Sequence, residues 1–157
     1  MRPFSLVLSL ALVVLSLAST TSGAGKALAT ADGEAPDTRA DIIELKRTGG
    51  DQVMLRFTIV NESAKTFLMG DRMAEPGGNK DFGTVSGVHL LDNTNKKKHF
   101  VLRDTEGQCV CSKGLKDIKA KESLNVWARF PAPPDSAQKV TIVIPRFVPV
   151  DDVAISR

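Results

Sequence analysis

The two cysteines of this 157-residue chain, Cys109 and Cys111, are separated by a single residue and offer the clearest chemistry in the sequence. On a straight strand, residues i and i+2 face the same side with Cα atoms about 6.6–6.8 Å apart, at the far edge of disulfide range. The glycine turn at Gly107, directly upstream, would bend the backbone and shorten that distance. We therefore expect a local Cys109–Cys111 disulfide, with two small, half-buried thiols as the alternative.

A metal site is the third interpretation of the two cysteines. Thiolate and thioether sulfurs suit Cu(I) or Zn²⁺. The residues that could supply ligands by type are Cys109, Cys111, His89, His99, Met69 and Met73. No C-x-x-C pair, H-x-x-H or H-x-M spacing accompanies them. The pattern therefore favours the disulfide over the metal, and we expect no cofactor.

Catalytic constellations are weak in this sequence. His89 and His99 could act as bases, and a Cys–His nucleophile pair is formally available. Each histidine, however, lies in a predicted strand or beside a basic hairpin, where a solvated or hydrogen-bonded side chain is typical. No G-x-S-x-G or H-E-x-x-H motif is present. We therefore predict that the protein is not an enzyme.

The first residues have the order of a secretory signal peptide. Arg2 precedes an apolar run over Phe4–Leu17, and small residues follow it. The run has about 14 residues, fewer than the roughly 20 that a membrane-spanning helix needs. We predict a signal peptide over residues 1–29, cut after the triplet Ala27–Ala29; a cut nearer Ala24 and an uncleaved N-terminal anchor helix are the alternatives. The mature chain then has no stable membrane span and is secreted, periplasmic or associated with the cell envelope, where disulfides persist.

Removing the leader changes the charge argument. The whole chain has 21 basic and 18 acidic residues, and residues 1–29 hold two of the basic ones and no acid. A mature chain with a net charge near +1 gives no indication of nucleic-acid binding. The dense basic run Lys96–Lys98 lies between two apolar stretches, which is typical of a solvated hairpin tip, with electrostatic docking to an anionic surface as the alternative.

Alternating apolar and polar residues predict a series of short strands. The clearest are Gln52–Val60, with Val53, Leu55, Phe57 and Ile59 on one face, and Glu122–Phe130. Trp127 lies on the face opposite Val126, where we expect core or semi-core packing, with an exposed ligand platform as the alternative. Other strand signals cover 40–46, 65–69, 84–91, 99–103, 139–144 and 147–155. The sequence thus predicts an all-β, immunoglobulin-like β-sandwich of seven to eight strands over residues 40–157, after a flexible lead-in over 30–39.

Several motifs carry a more specific resemblance. They are Val85–Asp92, the Arg-Asp-x-x-Gly turn and Cys-x-Cys within Val101–Ser112, Val126–Pro134, and Lys139–Pro145. Over roughly residues 40–156 the chain resembles an uncharacterised family of exported bacterial immunoglobulin-like domains, some of which are joined to an OmpA-like, peptidoglycan-binding domain. The resemblance implies an exported sandwich and brings no established activity with it.

These observations favour a non-enzymatic binding or interaction module of unknown ligand. Immunoglobulin-like sandwiches keep the scaffold rigid and vary their loops, here chiefly Gly70–Gly83 and Asp104–Gly114. We expect the partner to be a cell-envelope or extracellular protein and not a nucleic acid. The alternative hypothesis is a small extracytoplasmic metal-binding or thiol-redox protein that uses Cys109 and Cys111.

Overall fold

The computed structural model describes residues 26–49, 51–70, 72–74 and 81–157. Within these ranges the chain forms eight β-strands and no helix, and so contains no helix that could cross a membrane. The strands are β1 (Ala29–Asp32), β2 (Thr38–Thr48), β3 (Gln52–Asn61), β4 (His89–Asp92), β5 (Lys97–Phe100), β6 (Ser123–Pro131), β7 (Lys139–Val143) and β8 (Val150–Ala154). The predicted all-β class is confirmed. Most of the predicted signal peptide, residues 1–25, lies outside the described residues.

The strands form two four-stranded antiparallel sheets. The first has the order β1-β2-β3-β6 and the second the order β5-β4-β7-β8. Buried apolar side chains from both sheets belong to one continuous core. An isolated bridge between Gly33 and Phe147 ties the end of β1 to the segment before β8. The architecture is therefore consistent with a β-sandwich built around a single core.

The β2–β3 hairpin is the longest paired unit. Its turn follows Gly49, and Asp51 in the turn has a φ of 54°. In β3 the four alternate residues predicted to face inward, Val53, Leu55, Phe57 and Ile59, are buried. Because side chains on a strand alternate between faces, the period-two pattern settled which face meets the core, and that prediction is confirmed.

Strand β6 buries Val126, Ala128 and Phe130 on one face, as its alternation predicts. The prediction that Trp127 packs in the core is wrong. Trp127 occupies the opposite face, directly across from Arg56 of β3, and is 37 % exposed. A strand cannot place adjacent residues on the same face, so burying Val126 and Ala128 turns the tryptophan outward.

The second sheet begins with the β4–β5 hairpin. The carboxylate of Asp92, itself buried, accepts hydrogen bonds from the Asn95 amide nitrogen at 3.0 Å and the Asn95 side chain at 2.7 Å. These bonds replace the water that the buried carboxylate gives up and fix the turn. The predicted tip lysines lie just beyond it, with Lys97 and Lys98 exposed in β5.

Four segments differ from the sequence-based expectation. The predicted strand over 65–69 forms only an isolated bridge, between Phe67 and Ile118, and the predicted strand over 99–103 is regular only as far as Phe100. The lead-in over 30–39 is irregular only in part, since Ala29–Asp32 pairs with β2 and buries Ala31. The predicted strand over 84–91 is regular only from His89, because 84–88 folds into turns. A backbone hydrogen bond from Val88 to Val85 at 3.1 Å closes one of those turns. Composition alone did not reveal the pairing of β1 with β2, which is a tertiary contact.

Candidate functional site

Long connections gather at one end of the sandwich, where β2 and β6 begin and β3 and β7 end. Backbone bonds join them, including Phe67 with Ile118 in both directions and Leu115 to the Gly83 carbonyl at 2.9 Å. We call this surface the loop end. It comprises residues 33–37, 62–74, 81–88, 113–122 and 144–149, without the undescribed positions 71 and 75–80.

A single aromatic side chain projects from the loop end. Phe82 is 73 % exposed, although its neighbours Asp81, Gly83, Thr84 and Val85 are all buried. The turn that carries it is closed by Thr84, whose hydroxyl and amide both donate to the Asp81 carbonyl. Gly83 donates to the Gly70 carbonyl at 3.1 Å. Phe82 is therefore an exposed ring on an anchored turn.

The buried carboxylate of Asp81 fixes the same turn to the segment 101–112, in which Arg103 pairs with Cys109. Arg103 donates from Nη2 to Asp81 Oδ2 at 2.7 Å and from Nη1 to Oδ1 at 3.2 Å. The pKa of Asp81 lies below its usual value because of this hydrogen bonding, against the opposing effect of burial. Arg103 also donates to the Gly107 carbonyl at 2.8 Å. The structure thus joins the two loops, Gly70–Gly83 and Asp104–Gly114, that the sequence singled out.

The side chain of Asn61, at the end of β3, also fixes the loop end through hydrogen bonds. The amide of buried Asn61 donates to the carbonyls of Lys65, Ile118 and Lys119 at 2.8–3.0 Å, and its oxygen accepts from Ser63. This side chain joins the two connections that follow β3 and precede β6. Hydrogen bonds on every side of a buried amide restrict the backbone around it.

The predicted metal ligands occupy different parts of the fold. Met69 and Met73 are buried members of the apolar core. Gly87 donates to the Met73 carbonyl at 3.0 Å, and a Cβ at position 87 would lie 2.8 Å from the Ala74 carbonyl oxygen, so only glycine allows this approach. Because their side chains belong to the apolar core, Met69 and Met73 serve as packing residues beneath the loop end.

The cysteines lie beside β6. Their sulfurs are 2.01 Å apart, at disulfide distance, and their Cα atoms are 5.3 Å apart. Both residues are buried. Cys111 pairs with Ala128 of β6 and Cys109 pairs with Arg103. The pair thus holds a bend in the segment that supports the Asp81–Arg103 contact.

The histidines sit at successive register positions of the β4–β5 hairpin, His89 opposite Phe100 and His99 opposite Leu90. His89 Nδ1 lies 3.1 Å from the Gly87 carbonyl oxygen. His99 Nε2 lies 3.9 Å from Asp92 Oδ2. Burial lowers the pKa of both rings.

No group of three or more His, Cys, Asp or Glu side chains that could hold a metal occurs among the described residues. The two cysteines are bonded to each other, and the histidines lie on a different hairpin. The six residues predicted as ligands by type are thus distributed over a disulfide, the core and the β4–β5 hairpin.

A cleft of about 400 Å³ opens at the loop end between the turn at residues 35–38 and the loop at 63–68. Phe67 and Leu68 supply its apolar wall, and Arg72 and Arg146 line it as well. Two smaller clefts of about 310 Å³ each lie at the opposite end, around Asp135–Lys139, and polar side chains dominate their walls.

Sequence reasoning missed the most distinctive residues of the loop end, namely Asp81, Phe82, Arg103 and Arg146. The one available signal was the triplet Asp81–Gly83, an aromatic residue between a charge and a turn-forming glycine. The cleft residues come from three separate connections, β1–β2, β3–β4 and β7–β8, so no spacing in the sequence links them.

Comparisons with known proteins bring no relative into view. No protein-family model, no curated protein and no solved structure matches the chain.

Proposed function

We propose that the protein is an exported, non-enzymatic binding module whose loop end docks a protein of the cell envelope or the extracellular space. The observation that carries the proposal is Phe82, an exposed ring on a turn whose other residues are buried and hydrogen-bonded. A protein interface draws most of its affinity from a few aromatic or arginine anchors that enter pockets of the partner. An anchor that is already rigid loses little conformational entropy when it binds.

The strand order supports an immunoglobulin-like assignment within the sandwich class. In immunoglobulin lettering, β2, β3 and β6 correspond to strands A, B and E, and they form one sheet with β1 at its edge. Strands β5, β4, β7 and β8 correspond to C′, C, F and G, and they form the other sheet. Immunoglobulin-like domains separate strands in this way and present binding loops at one end. The loop end contains the described parts of the B–C connection, 62–70, 72–74 and 81–88, and the F–G connection, residues 144–149.

Export is part of the proposal, and β1 favours one of the two cleavage positions. Leu28 donates to the Ile42 carbonyl at 2.7 Å, and Ala29 pairs with Ile42. A cut after Ala29 would remove both residues and shorten β1, whereas a cut near Ala24 would preserve the strand. We therefore propose the upstream cut, which N-terminal sequencing of the exported protein would test.

The cysteine pair supports a binding module better than a redox protein. A thiol-exchange partner must bring a thiolate onto one of the sulfurs. Cys109 and Cys111 are both buried against β6, and their segment carries the arginine that fixes the Phe82 turn. We propose a structural role for the bond.

The test is affinity capture with the mature domain. Wild-type protein and two variants, Phe82→Ser and Phe100→Ser, are immobilised and exposed to envelope and culture-fluid fractions of the producing cell. Phe100 is the matched control because it is also an exposed phenylalanine, but it lies in β5. We expect a protein that wild type and Phe100→Ser retain and Phe82→Ser loses. Retention by all three forms, or by none, would contradict the proposal.

A further inference from the structure

The cleft between the turn at residues 35–38 and the loop at 63–68 carries an inference about the partner. Its volume of about 400 Å³ falls within the range of ligand sites, about 300–1,000 Å³. One wall is apolar, with the Phe67 ring and the half-exposed side chain of Leu68. Phe82 does not line it, so the cleft is a separate feature of the loop end.

Positively charged side chains outnumber acidic ones in the described lining of the cleft. Among the described residues, its lining contains three cations, Lys65, Arg72 and Arg146, and one acid, Asp37. Lys65 and Arg72 lie in the connection between β3 and β4, Arg146 lies in the connection between β7 and β8, and the three converge on one concave surface. A concave, partly apolar wall focuses the field of such charges. The cleft is thus electrostatically complementary to an anion.

Arg146 is held in place by several contacts. Its guanidinium lies over the Phe67 ring, 4.9 Å from the centroid, and its Nη1 donates to the Leu68 carbonyl at 3.4 Å. Its Nε is 3.8 Å from Glu34, whose side chain is exposed. The backbone of Arg146 has a φ of 70°, a conformation that side chains other than glycine rarely adopt. The fold therefore maintains an unfavourable backbone conformation at the residue that places a cation on the aromatic wall.

We infer that this cleft binds an acidic segment of the partner protein, with a carboxylate at the arginines and a neighbouring apolar side chain on the Phe67–Leu68 wall. A guanidinium presents a planar fork of donors that matches a carboxylate, and such bonds are stronger than neutral ones. The inference rests on the proposed function, because the occupant is part of the docked protein. The proposed function states where the partner docks, and the inference adds the chemistry of the partner segment that docks there.

The experiment is a two-dimensional ¹H–¹⁵N NMR titration of the mature domain with a blocked tetrapeptide of leucine, glutamate, phenylalanine and aspartate. A second peptide replaces the two acids with glutamine and asparagine. We expect the acidic peptide to shift the amide signals of Phe67, Leu68 and Arg146, and the amide analogue to bind about tenfold more weakly, because it lacks charge-assisted bonds. Equal binding of the two peptides, or shifts located elsewhere, would overturn the inference.

Matched variants separate the cleft from general charge effects. Arg72→Gln removes an exposed cation at the cleft and should weaken the acidic peptide about threefold, the scale of one exposed ion pair. Arg56→Gln removes an exposed cation from the outer face of β3 and should leave the affinity unchanged. Equal losses in the two variants would overturn the inference, since they would indicate attraction by net charge alone.

The two proposals fail in different ways. Phe82→Ser should lose the captured partner and keep the peptide titration, because Phe82 lies outside the cleft. Capture of a partner without peptide binding at the cleft would refute the inference and leave the binding module standing. Peptide binding without any captured partner would refute the proposed function.

Discussion

Replacing Asp81 with alanine tests the contact that holds the Phe82 turn. The Asp81 carboxylate is 1 % exposed and accepts two bonds from Arg103, at 2.7 and 3.2 Å. Removing one partner of a buried ion pair costs about 3–5 kcal/mol when the other charge stays buried. The Arg103 side chain is 35 % exposed, so water can take over part of its solvation. The remaining cost comes from the two lost hydrogen bonds to a charged group, and we expect the free energy of unfolding to fall by about 2–3 kcal/mol.

The assay is urea unfolding of the mature domain at pH 7, with the free energy extrapolated to water. Asp135→Ala is the matched control, because Asp135 is 82 % exposed and lies 3.5 Å from Arg47. An exposed pair of this kind contributes less than about 1 kcal/mol. A double variant that also replaces Arg103 with alanine should recover part of the Asp81→Ala loss. Equal losses for Asp81→Ala and Asp135→Ala would refute the reasoning.

The same contact has a pH signature. Because the pKa of Asp81 is lowered in the folded protein, its stabilising effect is present above the unfolded value, near 3.9, and is lost as the pH falls through the folded value. The difference in unfolding free energy between wild type and Asp81→Asn should therefore shrink in acid. A difference that stays constant down to the acid limit of folding would show that the carboxylate charge is not what stabilises the turn.

Three further predictions concern the scaffold. Replacing Cys109 and Cys111 together with alanine should cost about 1–2 kcal/mol, because a three-residue loop gives a small entropic gain, and unfolding with and without reductant would detect it. Phe57→Ala should cost about 3–5 kcal/mol by urea unfolding, since it empties a fully buried site, and a loss under 1 kcal/mol would contradict the assigned core. Burial lowers the pKa of His89 and His99, so stability should fall as the pH drops below about 6.5, and His99→Gln should flatten that slope.

The sequence predicted the parts of the fold that depend on local alternation. The inward faces of β3 and β6 and the β2–β3 turn follow from period-two burial and turn chemistry, which neighbouring residues determine. Strand β1 escaped prediction because it has four residues and one buried side chain, Ala31, so its pairing with β2 comes from tertiary contact. Core packing was expected for Trp127, although the alternation of β6 puts it on the face opposite Val126, which is the exposed face.

The candidate site was less predictable than the fold. Two loops could be singled out from composition, and the structure joins them through Asp81 and Arg103. The pairing spans 22 residues and depends on how the hairpin at 101–112 lies against β6. The cleft requires Phe67 and Arg146 to meet, although they are far apart in the chain. Such contacts between distant residues depend on sheet topology, which local propensity does not specify.

The most direct test of the loop end as a binding surface is hydrogen exchange of the mature domain, measured by mass spectrometry with and without the captured partner. The proposal predicts slower exchange in segments 62–70, 81–88 and 144–149, and no change at the opposite turns, 93–96 and 132–138. Protection confined to those opposite turns, or to the outer face of β3 and β6, would contradict it.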